Sequence, residues 1–537
     1  MLPRPAGATC WARATRFDNG DCLSQVGHVV IVGGGSAGWL VAGVLAARQR
    51  ATGLRITLLE SPDRPPIGVG EGTWPSMRDT LRTIGVSESE LVRECDATFK
   101  QGSRFDGWRH GQPASAGDSY FHPFTLPQGF LDDAELAAAW LAHAAQVPFA
   151  DLVCPQPHVA ARGLAPKQAQ TPDYASVANY AYHFDAAKFG PFLRRHCVEK
   201  LGVQHVADEM TGIVAAANGD IAAVRTRGHG DIAGDLFVDC TGMPALLLGG
   251  HYNIGLVEQG HVLFCDRALA LQVPYAHDDD PIASQTIGTA QSAGWVWDIG
   301  LSSRRGIGHV YSSAHTSDDA AEAELRRYVQ TSGGPADPGP ARRIHFRPGH
   351  RHEFWHRNCV AVGLAAGFIE PLEASALALV EMSASALADD LPASRDTMDI
   401  VARRFNQNFT YRWGRIVDFL KLHYVLTQRS DSDFWRDQLR PASVPDRLQE
   451  LLLLWRHRSP LRHDFGRIDE VFPSASWQYV LYGMGFRPER AAATPQALAA
   501  ADGHLRAAAE MTRRMLGALP THRALIQHVQ RHGFPRL

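Results

Sequence analysis

One local pattern constrains the fold of this chain more than any other: a strand, a glycine turn, a helix and a second strand in immediate succession. The β-branched run Val29–Val32 leads directly into the glycine-rich segment Gly33–Gly38, and the stretch up to Arg48 has the length and composition of a helix. The apolar run Leu54–Glu60 predicts a second strand. This order is the opening βαβ unit of a doubly wound parallel sheet.

The glycine segment matches the pattern G-x-G-x-x-G, in which each glycine has its own mechanical reason. The first allows a tight turn, the second lets the backbone approach a pyrophosphate, and the third permits close contact between helix and strand. Glu60 closes the second strand about 20 residues later, where a carboxylate accepts hydrogen bonds from ribose hydroxyls and favours an unphosphorylated ribose, as in FAD or NAD. The residues predicted to hold the dinucleotide are Gly33, Gly35, Ser36, Ala37, Gly38 and Glu60.

The rest of the chain predicts an α/β fold with two further layers. At 537 residues the chain exceeds one ordinary domain and should bury a large core. Short strands alternate with turns between Gly212 and Tyr311, with Asn218-Gly219 as a hairpin turn, and helical patterns dominate beyond Asp399. We predict a loose N-terminal extension over residues 1–26, a dinucleotide-binding doubly wound sheet with an inserted β-sheet layer over 27–399, and a mostly helical, substrate-side region over 400–537.

Charge and cysteine spacing exclude several classes of function. The 53 basic and 56 acidic side chains leave a net charge of -3, which offers no general attraction for nucleic acid or membrane surfaces. No apolar run approaches the roughly 18 residues of a membrane-spanning helix. The eight cysteines lack the close pairs of a zinc or dithiol site and are expected to be reduced thiols in a cytoplasmic protein. We therefore predict no metal site.

Two later segments favour FAD over NAD. Asp235–Gly242 resembles the strand of FAD-dependent hydroxylases that returns to the nucleotide, and Val360–Gly367 resembles their flavin-ring segment at a helix N-terminus. Only one G-x-G-x-x-G unit is present, which leaves no dedicated NAD(P)H domain, so we expect a separate flavin reductase to supply reduced flavin. Further candidate cofactor contacts are Gly70, Glu71, Gly363, Leu364 and Pro371.

Three more motifs, in their order along the chain, resemble those of the flavin-dependent tryptophan halogenases. They are Gly68–Thr73, Phe99–Trp108 and Gly294–Gly300, and the resemblance extends from Val29 to about Phe486. In that family, reduced FAD and dioxygen oxidise a bound chloride or bromide to hypohalous acid, which passes down an internal tunnel to a lysine near the substrate. The resemblance implies a halogenase acting on an aromatic, indole or tryptophan-like molecule.

Lys100 and Glu373 occupy the positions of the family's two catalytic residues. A lysine ammonium can polarise hypohalous acid or be halogenated itself, and a carboxylate supplies negative charge where positive charge develops. Glu370 is the nearby alternative carboxylate. From the residues alone, Lys100 ends a predicted helix Glu88–Lys100 and could be solvated. Glu373 begins a predicted helix Glu373–Leu387 and could merely complement its dipole.

A bulky wall beside the flavin is implied by Trp295, Trp297 and Ile299, which match the family's W-x-W-x-I pattern. Large rigid rings can exclude an organic substrate from the flavin, although tryptophans at i and i+2 also suit one face of a core strand. The family pattern ends in proline, whereas Gly300 stands here and loosens the backbone.

The halide-binding segment departs from the family pattern as well. The family has Glu-Ser-Thr-Gly where this chain has Glu373–Ala376, so the threonine and glycine that contact the anion are replaced. Ser375 and Ala376 are the candidates here, through a hydroxyl and the backbone amides at a helix start.

The substrate end of the site is indicated by His122 and Phe124, which resemble the family's His-x-Phe segment that stacks on indole. In the family, aromatic residues of the C-terminal helical region complete a sandwich around the ring. Plausible substitutes in this chain are Phe472, Trp477, Tyr479 and Tyr482.

Two other functions stay open from the sequence. An aromatic monooxygenase would use the same flavin chemistry on a substrate that reaches the ring directly, and Gly300 and the altered halide segment keep this alternative open. A non-catalytic flavin-binding protein is the second alternative, and the joint presence of Lys100, Glu373 and both tryptophans weighs against it. A homodimer is also left open.

Overall fold

The computed structural model describes residues 26–63, 70–132, 135–143, 146–467, 470–489 and 493–535. The predicted N-terminal extension lies outside these residues except for Val26, and so does Gly68 of the first halogenase-like motif. The strands in chain order are β1 (His28–Val32), β2 (Arg55–Glu60), β3 (Gly70–Gly72), β4 (Thr98–Lys100), β5 (Gly102–Asp106), β6 (Ser119–Pro123), β7 (Ala181–Asp185), β8 (Gln204–Ala207), β9 (Met210–Ala215), β10 (Ile221–Thr226), β11 (Asp231–Ala233), β12 (Leu236–Asp239), β13 (Leu256–Glu258), β14 (Arg267–Pro274), β15 (Thr286–Ala290), β16 (Gly294–Gly300), β17 (Arg304–Tyr311), β18 (Arg342–His345), β19 (Gly349–Arg351), β20 (Trp355–His356), β21 (Cys359–Ala361) and β22 (Gly367–Phe368).

The α-helices become longer towards the C-terminus. In chain order they are α1 (Ser36–Arg48), α2 (Ser76–Thr83), α3 (Glu88–Glu94), α4 (Leu136–His143), α5 (Phe149–Val153), α6 (Gln156–Ala161), α7 (Ala186–Leu201), α8 (Asp318–Thr331), α9 (Ser375–Asp389), α10 (Arg395–Val425), α11 (Asp433–Asp437), α12 (Asp446–Trp455), α13 (Ser474–Gly483), α14 (Pro495–Ala518) and α15 (His522–His532).

The dinucleotide-binding unit is a six-stranded sheet with the order β20-β21-β12-β1-β2-β8, parallel except where β20 joins β21. Four of the five residues of β1 are buried, as expected for a central parallel strand covered by helices. The first helix, α1, packs against both α7 and α9. The predicted doubly wound sheet is thus confirmed.

A second, mostly antiparallel sheet is the predicted inserted β layer. Its order is β18-β14-β17-β16-β15-β5-β6, and only the pairing of β15 with β5 is parallel. The meander of β9, β10 and β11 forms a separate three-stranded sheet. Gly219 in the turn before β10 has a φ of +87°, which glycine adopts without strain.

The segment before Lys100 differs from the prediction. The helix predicted over Glu88–Lys100 ends at Glu94, and Thr98–Lys100 is strand β4, paired with β7. Asp96 lies between them at a φ of +50°, which breaks the helix. The β-branched Thr98 and aromatic Phe99 gain more from pairing and burial than from another helical turn.

The C-terminal region is helical, as predicted. One long helix, α10, connects it to the part of the molecule that contains the glycine loop. The predicted boundary at residue 399 falls within α10, which begins at Arg395 and runs for 31 residues. Phe409 and Trp413 of this helix reach the same cleft as the glycine loop. The predicted division between residues 399 and 400 would cut helix α10 near its start. This domain boundary stays a prediction.

Candidate active site

A cleft of about 640 Å³ joins the glycine loop to Lys100. It lies at the ends of β1 and β2 and along the face of the seven-stranded sheet. Ten of the eleven predicted cofactor residues line it, and they are Gly33, Gly35, Ser36, Ala37, Glu60, Gly70, Glu71, Gly363, Leu364 and Pro371. The predicted halide residues Ser375 and Ala376 line it too, together with Lys100. A ligand in this cleft would therefore reach from the phosphate loop towards the lysine.

The three glycines of the G-x-G-x-x-G motif have the surroundings that a dinucleotide site needs. A Cβ at Gly33, where φ is +114°, would lie 2.2 Å from the carbonyl oxygen of Cys240. A Cβ at Gly38 would lie 2.0 Å from the carbonyl oxygen of Gly33, so this glycine serves packing and does not line the cleft. A Cβ at Gly35 would meet no atom within 4 Å and would project into the space where a pyrophosphate approaches the N-terminus of α1. The cradle fits FAD.

This contrast gives a prediction for two alanine variants. Gly35→Ala should leave the melting temperature unchanged, because its Cβ meets no protein atom, but should weaken FAD binding by about tenfold or more, near 1.4 kcal/mol. Gly38→Ala should lower both the melting temperature and the affinity for FAD, because the added methyl group forces α1 away from the loop. Flavin titration by fluorescence and thermal unfolding of the apoprotein measure the two effects. Unchanged FAD affinity in Gly35→Ala would place the pyrophosphate elsewhere.

Glu60 stands at the ribose side of the cleft, at the end of β2. Its Oε2 lies 3.0 Å from His205 Nε2 and 3.5 Å from Arg194 Nη1. Across the cleft, Gly363 has a φ of +69°, and a Cβ there would lie 2.8 Å from that of Ala37. This glycine lets the 363–365 turn approach the first turn of α1 closely, and both segments line the cleft.

Lys100 is a buried lysine that has no ion pair with a carboxylate of the described residues. Its side chain is on strand β4 and the residue is 1% exposed. Burial lowers the pKa of Lys100 to about 8, and the charge of Glu373 opposes this shift. The ring centroid of Phe124 lies 5.4 Å from Nζ. A buried ammonium that lines a cavity is a donor held ready for a ligand.

Glu373 is held by two histidines. Its Oε1 accepts a hydrogen bond of 2.9 Å from His122 Nδ1 and lies 3.2 Å from His423 Nε2. Burial alone would raise the pKa of Glu373, but the two imidazoles more than offset it and hold the pKa well below its ordinary value. Glu373 is therefore a carboxylate near neutral pH, although the residue is only 3% exposed.

Glu370, the alternative carboxylate, is separated from this arrangement. Its Oε2 accepts hydrogen bonds from the indole nitrogen of Trp295 at 2.8 Å and from the hydroxyl of Tyr424 at 2.7 Å. Burial raises its pKa. Glu370 thus holds Trp295 by a hydrogen bond, whereas Glu373 is the carboxylate whose charge raises the pKa of Lys100.

The predicted wall divides into lining and supporting residues. Trp297 and Ile299 line the cleft, whereas Trp295 is turned away to Glu370. The departure at Gly300 does not interrupt strand β16, which pairs with β17 through Gly300 itself. A side chain there would crowd Ile282, whose Cγ2 would lie 2.9 Å from the new Cβ. Glycine therefore suits this position.

The altered halide segment begins helix α9. Ala374 has a φ of +55°, so the helix predicted from Glu373 begins at Ser375 instead. Ser375 and Ala376, the first two residues of this 15-residue helix, line the cleft. Backbone N–H groups at a helix N-terminus attract anions whatever the side chains, so halide binding at Ser375 and Ala376 stays a prediction.

Three of the predicted substrate residues, His122, Tyr479 and Phe472, belong to an aromatic cluster that adjoins Glu373 through His122. His122 packs near Phe419 and Tyr479, with ring centroids 5.6 and 6.3 Å away. Phe472 stacks on Phe419 at 3.8 Å and meets Trp74 edge-on at 5.0 Å. Of the other two candidates, Trp477 also contacts Phe419 of this cluster, whereas Tyr482 packs on other rings. Trp477 packs among Trp455, Phe465 and Phe419, and Tyr482 packs on Trp140 and Phe149.

Two residues at the site were not predicted. His423 on α10 contacts Glu373, and its Nδ1 lies 2.6 Å from the hydroxyl of Tyr120. Trp74 donates from its indole nitrogen to the carbonyl oxygen of Glu373 at 2.7 Å. Trp74 directly follows the Gly-Glu-Gly-Thr motif, which is a usable signal. His423 has no local signal, because a long helix brings it to the site.

The described residues lack two further kinds of feature. They contain no cluster of three or more side chains of the type that holds a metal ion. In the same part of the chain, no helix combines the length and apolar character required to cross a membrane.

Comparison with known proteins agrees with this geometry. A family model described as tryptophan halogenase matches residues 28–500. The chain is 31% identical to tryptophan 7-halogenase RebH of Lentzea aerocolonigenes, over 95% of this chain and 99% of RebH. It is 32% identical to tryptophan 6-halogenase ThaL of Streptomyces albogriseolus, over 89% of this chain and 94% of ThaL.

Solved structures give the same result. The tryptophan halogenase from Shewanella frigidimarina superposes with a TM-score of 0.93 at 47% identity, covering 96% of this chain and 99% of that one. Xcc4156, a flavin-dependent halogenase from Xanthomonas campestris, superposes with a TM-score of 0.84 at 33% identity, covering 96% and 100%. Since these matches run from the dinucleotide fold into the C-terminal helices, the chain belongs to the tryptophan halogenase family of flavin-dependent enzymes.

Proposed function

We propose that this enzyme halogenates an aromatic, indole-bearing small molecule with chloride or bromide, and that Lys100 and Glu373 are its catalytic pair. The observation that carries the proposal is that the buried ammonium of Lys100 lines the same cleft as the phosphate loop, with the carboxylate of Glu373 as its charged neighbour. A separate flavin reductase would supply reduced FAD, since the chain has a single dinucleotide loop. A homodimer is compatible with this scheme.

Each group of residues has a distinct part in the scheme. When bound, reduced FAD would donate two electrons to dioxygen, and the oxygen activated in this way would oxidise the halide to hypohalous acid. The glycine loop and Glu60 hold the nucleotide end, and the amides of Ser375 and Ala376 hold the anion. Trp297 and Ile299 narrow the cleft, so a small oxidant passes and an aromatic substrate does not.

The Lys100 end of the cleft is where the aromatic ring would be attacked. The ammonium donates to the oxidant and draws electron density from its halogen. The carboxylate of Glu373 stabilises the positive charge that develops on the ring and accepts the ring proton. His122 and His423 keep this carboxylate ionised and fixed in place.

Halide dependence tests the proposal against the monooxygenase alternative. Purified protein, a flavin reductase, FAD and NADH are incubated with tryptophan, indole or larger indole derivatives, with and without bromide. A halogenase gives product only with bromide, recognised by its mass shift and isotope doublet. Oxygenated product that forms without halide would reject the proposal. Hydrogen peroxide release without any product would favour the non-catalytic alternative.

The pH profile should report on Lys100. Because its pKa lies near 8, the side chain is mainly the ammonium below that pH and mainly the amine above it. If the ammonium polarises the oxidant, product formed per reduced flavin should fall as the pH rises through about 8. We expect this fall, since the neighbouring carboxylate of Glu373 favours the charged form. A rise over the same range would instead indicate halogenation of the neutral amine.

A further inference from the structure

The polar side chain of Thr286 belongs to the same cleft lining as Lys100. Thr286 is the first residue of β15, is buried, and shares the lining of the cleft with Lys100, Trp297 and Ile299. Two residues farther along β15, Gly288 pairs with Trp297, so Thr286 lies on the face of the sheet that carries the wall. Neither the proposed catalytic pair nor the halide segment accounts for a hydroxyl at this position.

The backbone brings Thr286 and Lys100 to the same place. The amide of Gln101, directly after Lys100, donates to the carbonyl oxygen of Ser284 at 2.7 Å, two residues before Thr286. On the other side of β4, the hydroxyl of Thr98 donates to the carbonyl oxygen of Gly300 at 2.6 Å. Strand β4 is thus held between the start of β15 and the end of β16.

Among the residues that the structure describes, the hydroxyl of Thr286 has one hydrogen-bond partner, the imidazole of His183. The two atoms, Thr286 Oγ1 and His183 Nε2, are 2.8 Å apart, and His183 is completely buried. The side chains of His183 and Lys100 both lie close to Gly72. A Cβ at Gly72 would lie 3.3 Å from Lys100 Nζ, 3.5 Å from His183 Cδ2 and 3.5 Å from the Cβ of Ala374.

The protonation of His183 decides which way the hydroxyl points. Burial and the nearby ammonium of Lys100 lower the pKa of His183 well below its ordinary value, so the ring is neutral. Its Nδ1 has no hydrogen-bond partner among the described residues. The tautomer with the proton on Nε2 avoids burying a donor without an acceptor. Nε2–H then donates to Thr286, which leaves the hydroxyl proton free to point into the cleft.

We propose that Thr286 is a further catalytic residue, whose hydroxyl, oriented by His183, donates a hydrogen bond to the oxygen of hypohalous acid held at Lys100. The inference rests on the proposed halogenase function and assigns His183 as a positioning residue. Two donors, an ammonium and a hydroxyl, then converge on the oxygen of the oxidant.

The chemistry of halogen transfer needs such donors. The carbon–halogen bond forms as the oxygen–halogen bond breaks, and the electron pair of the broken bond stays on oxygen. That oxygen leaves as water after it takes a proton from the Lys100 ammonium, and the proton of the ring passes to the Glu373 carboxylate. A hydrogen bond from Thr286 stabilises the negative charge that builds on the departing oxygen.

Paired threonine variants test the role of the hydroxyl. Thr286→Val removes the hydroxyl at nearly constant volume, Thr286→Ser keeps it, and Thr289→Val makes the same change on β15 at a residue that does not line the cleft. We expect Thr286→Val to lower halogenated product per reduced flavin about tenfold, near 1.4 kcal/mol, with FAD affinity unchanged. Because valine leaves the buried Nε2–H of His183 without an acceptor, the melting temperature should also fall, so yields are compared at a temperature at which both proteins are folded. Hypohalous acid escaping to monochlorodimedone should increase. Thr286→Ser and Thr289→Val should resemble the wild type.

A double-mutant cycle tests the positioning role of His183. His183→Gln keeps a donor near the position of Nε2 and should retain most activity, whereas His183→Met should lose about as much as Thr286→Val. Added to Thr286→Val, His183→Met should cost nothing more, because both changes remove one interaction.

Several outcomes would overturn the inference while leaving the proposed function standing. They are full product yield in Thr286→Val, a defect in Thr286→Ser as large as in Thr286→Val, additive losses in the cycle, or a loss that follows reduced FAD affinity or disappears once the yield is corrected for unfolded protein. Failure of the proposed function is recognised separately, because the wild-type enzyme would then form no halide-dependent product.

Discussion

Replacing Lys100 with methionine should abolish halogenation and leave flavin binding intact. Methionine fills most of the volume of the lysine stem, so the packing near Phe124 should be retained, while the only ammonium in the cleft lining of the described residues is lost. We expect product formation to fall by about 10³-fold or below detection, because no other group at this end of the cleft donates a charged hydrogen bond to the oxidant. Product by mass spectrometry, FAD affinity and hydrogen peroxide release are the three measurements.

The controls for this variant separate chemistry from folding. Lys188→Met changes a lysine that forms an exposed ion pair with Asp96, away from the cleft, and should have wild-type activity. Unchanged FAD affinity and continued reoxidation of reduced flavin would show that the cofactor site is intact. Continued halogenation by Lys100→Met would contradict the assignment of the lysine, whatever the state of the flavin.

Replacing Glu373 with glutamine should lower the turnover by about 10²- to 10³-fold. Glutamine keeps the shape and one oxygen that can accept from His122, but it removes the negative charge that faces the developing cation. It also removes the carboxylate that favours the charged form of Lys100, so the pKa of that lysine should fall further below about 8. The expected pattern is a lower kcat at every pH and an inflection of the pH profile displaced to lower pH.

Two other glutamates test whether this effect is specific. Glu381 on the same helix is also buried, is bonded to Ser76 and Thr80, and does not line the cleft, so Glu381→Gln is a matched control. Glu370→Gln should act mainly through the hydrogen bond to Trp295 and have the smaller effect on kcat. If Glu370→Gln proved the more damaging change, the catalytic carboxylate would be Glu370 and the predicted register would be wrong by three positions.

Much of the cofactor site could be predicted from short stretches of the sequence. The strand, glycine loop, helix and acidic strand end at Gly33–Gly38 and Glu60 depend on backbone geometry over a few residues, and steric limits on φ and ψ dictate which residues fit. The same is true of the turn at Asn218-Gly219. The W-x-W-x-I pattern predicted a wall, but strand alternation alone did not show that Trp297 faces the cleft while Trp295 bonds to Glu370.

The secondary structure around the lysine could not be predicted in this way. A helix over Glu88–Lys100 was favoured locally, but pairing with β7 overrode it and made Lys100 a strand residue. Likewise, α9 begins after Glu373 because Ala374 takes a left-handed conformation that its side chain does not favour. Both differences lie next to the proposed catalytic residues, where long-range contacts outweigh local preference.

The sequence by itself therefore determined the dinucleotide loop, the order of layers and the identities of Lys100 and Glu373 as candidates, because these follow from local geometry and motif. Only the tertiary structure decided that Glu373 is ionised between His122 and His423, and that Thr286 and His183 stand beside the lysine. Charge state and hydrogen bonding depend on burial and on neighbours from distant strands and helices, and these distances are set only when the whole chain has folded.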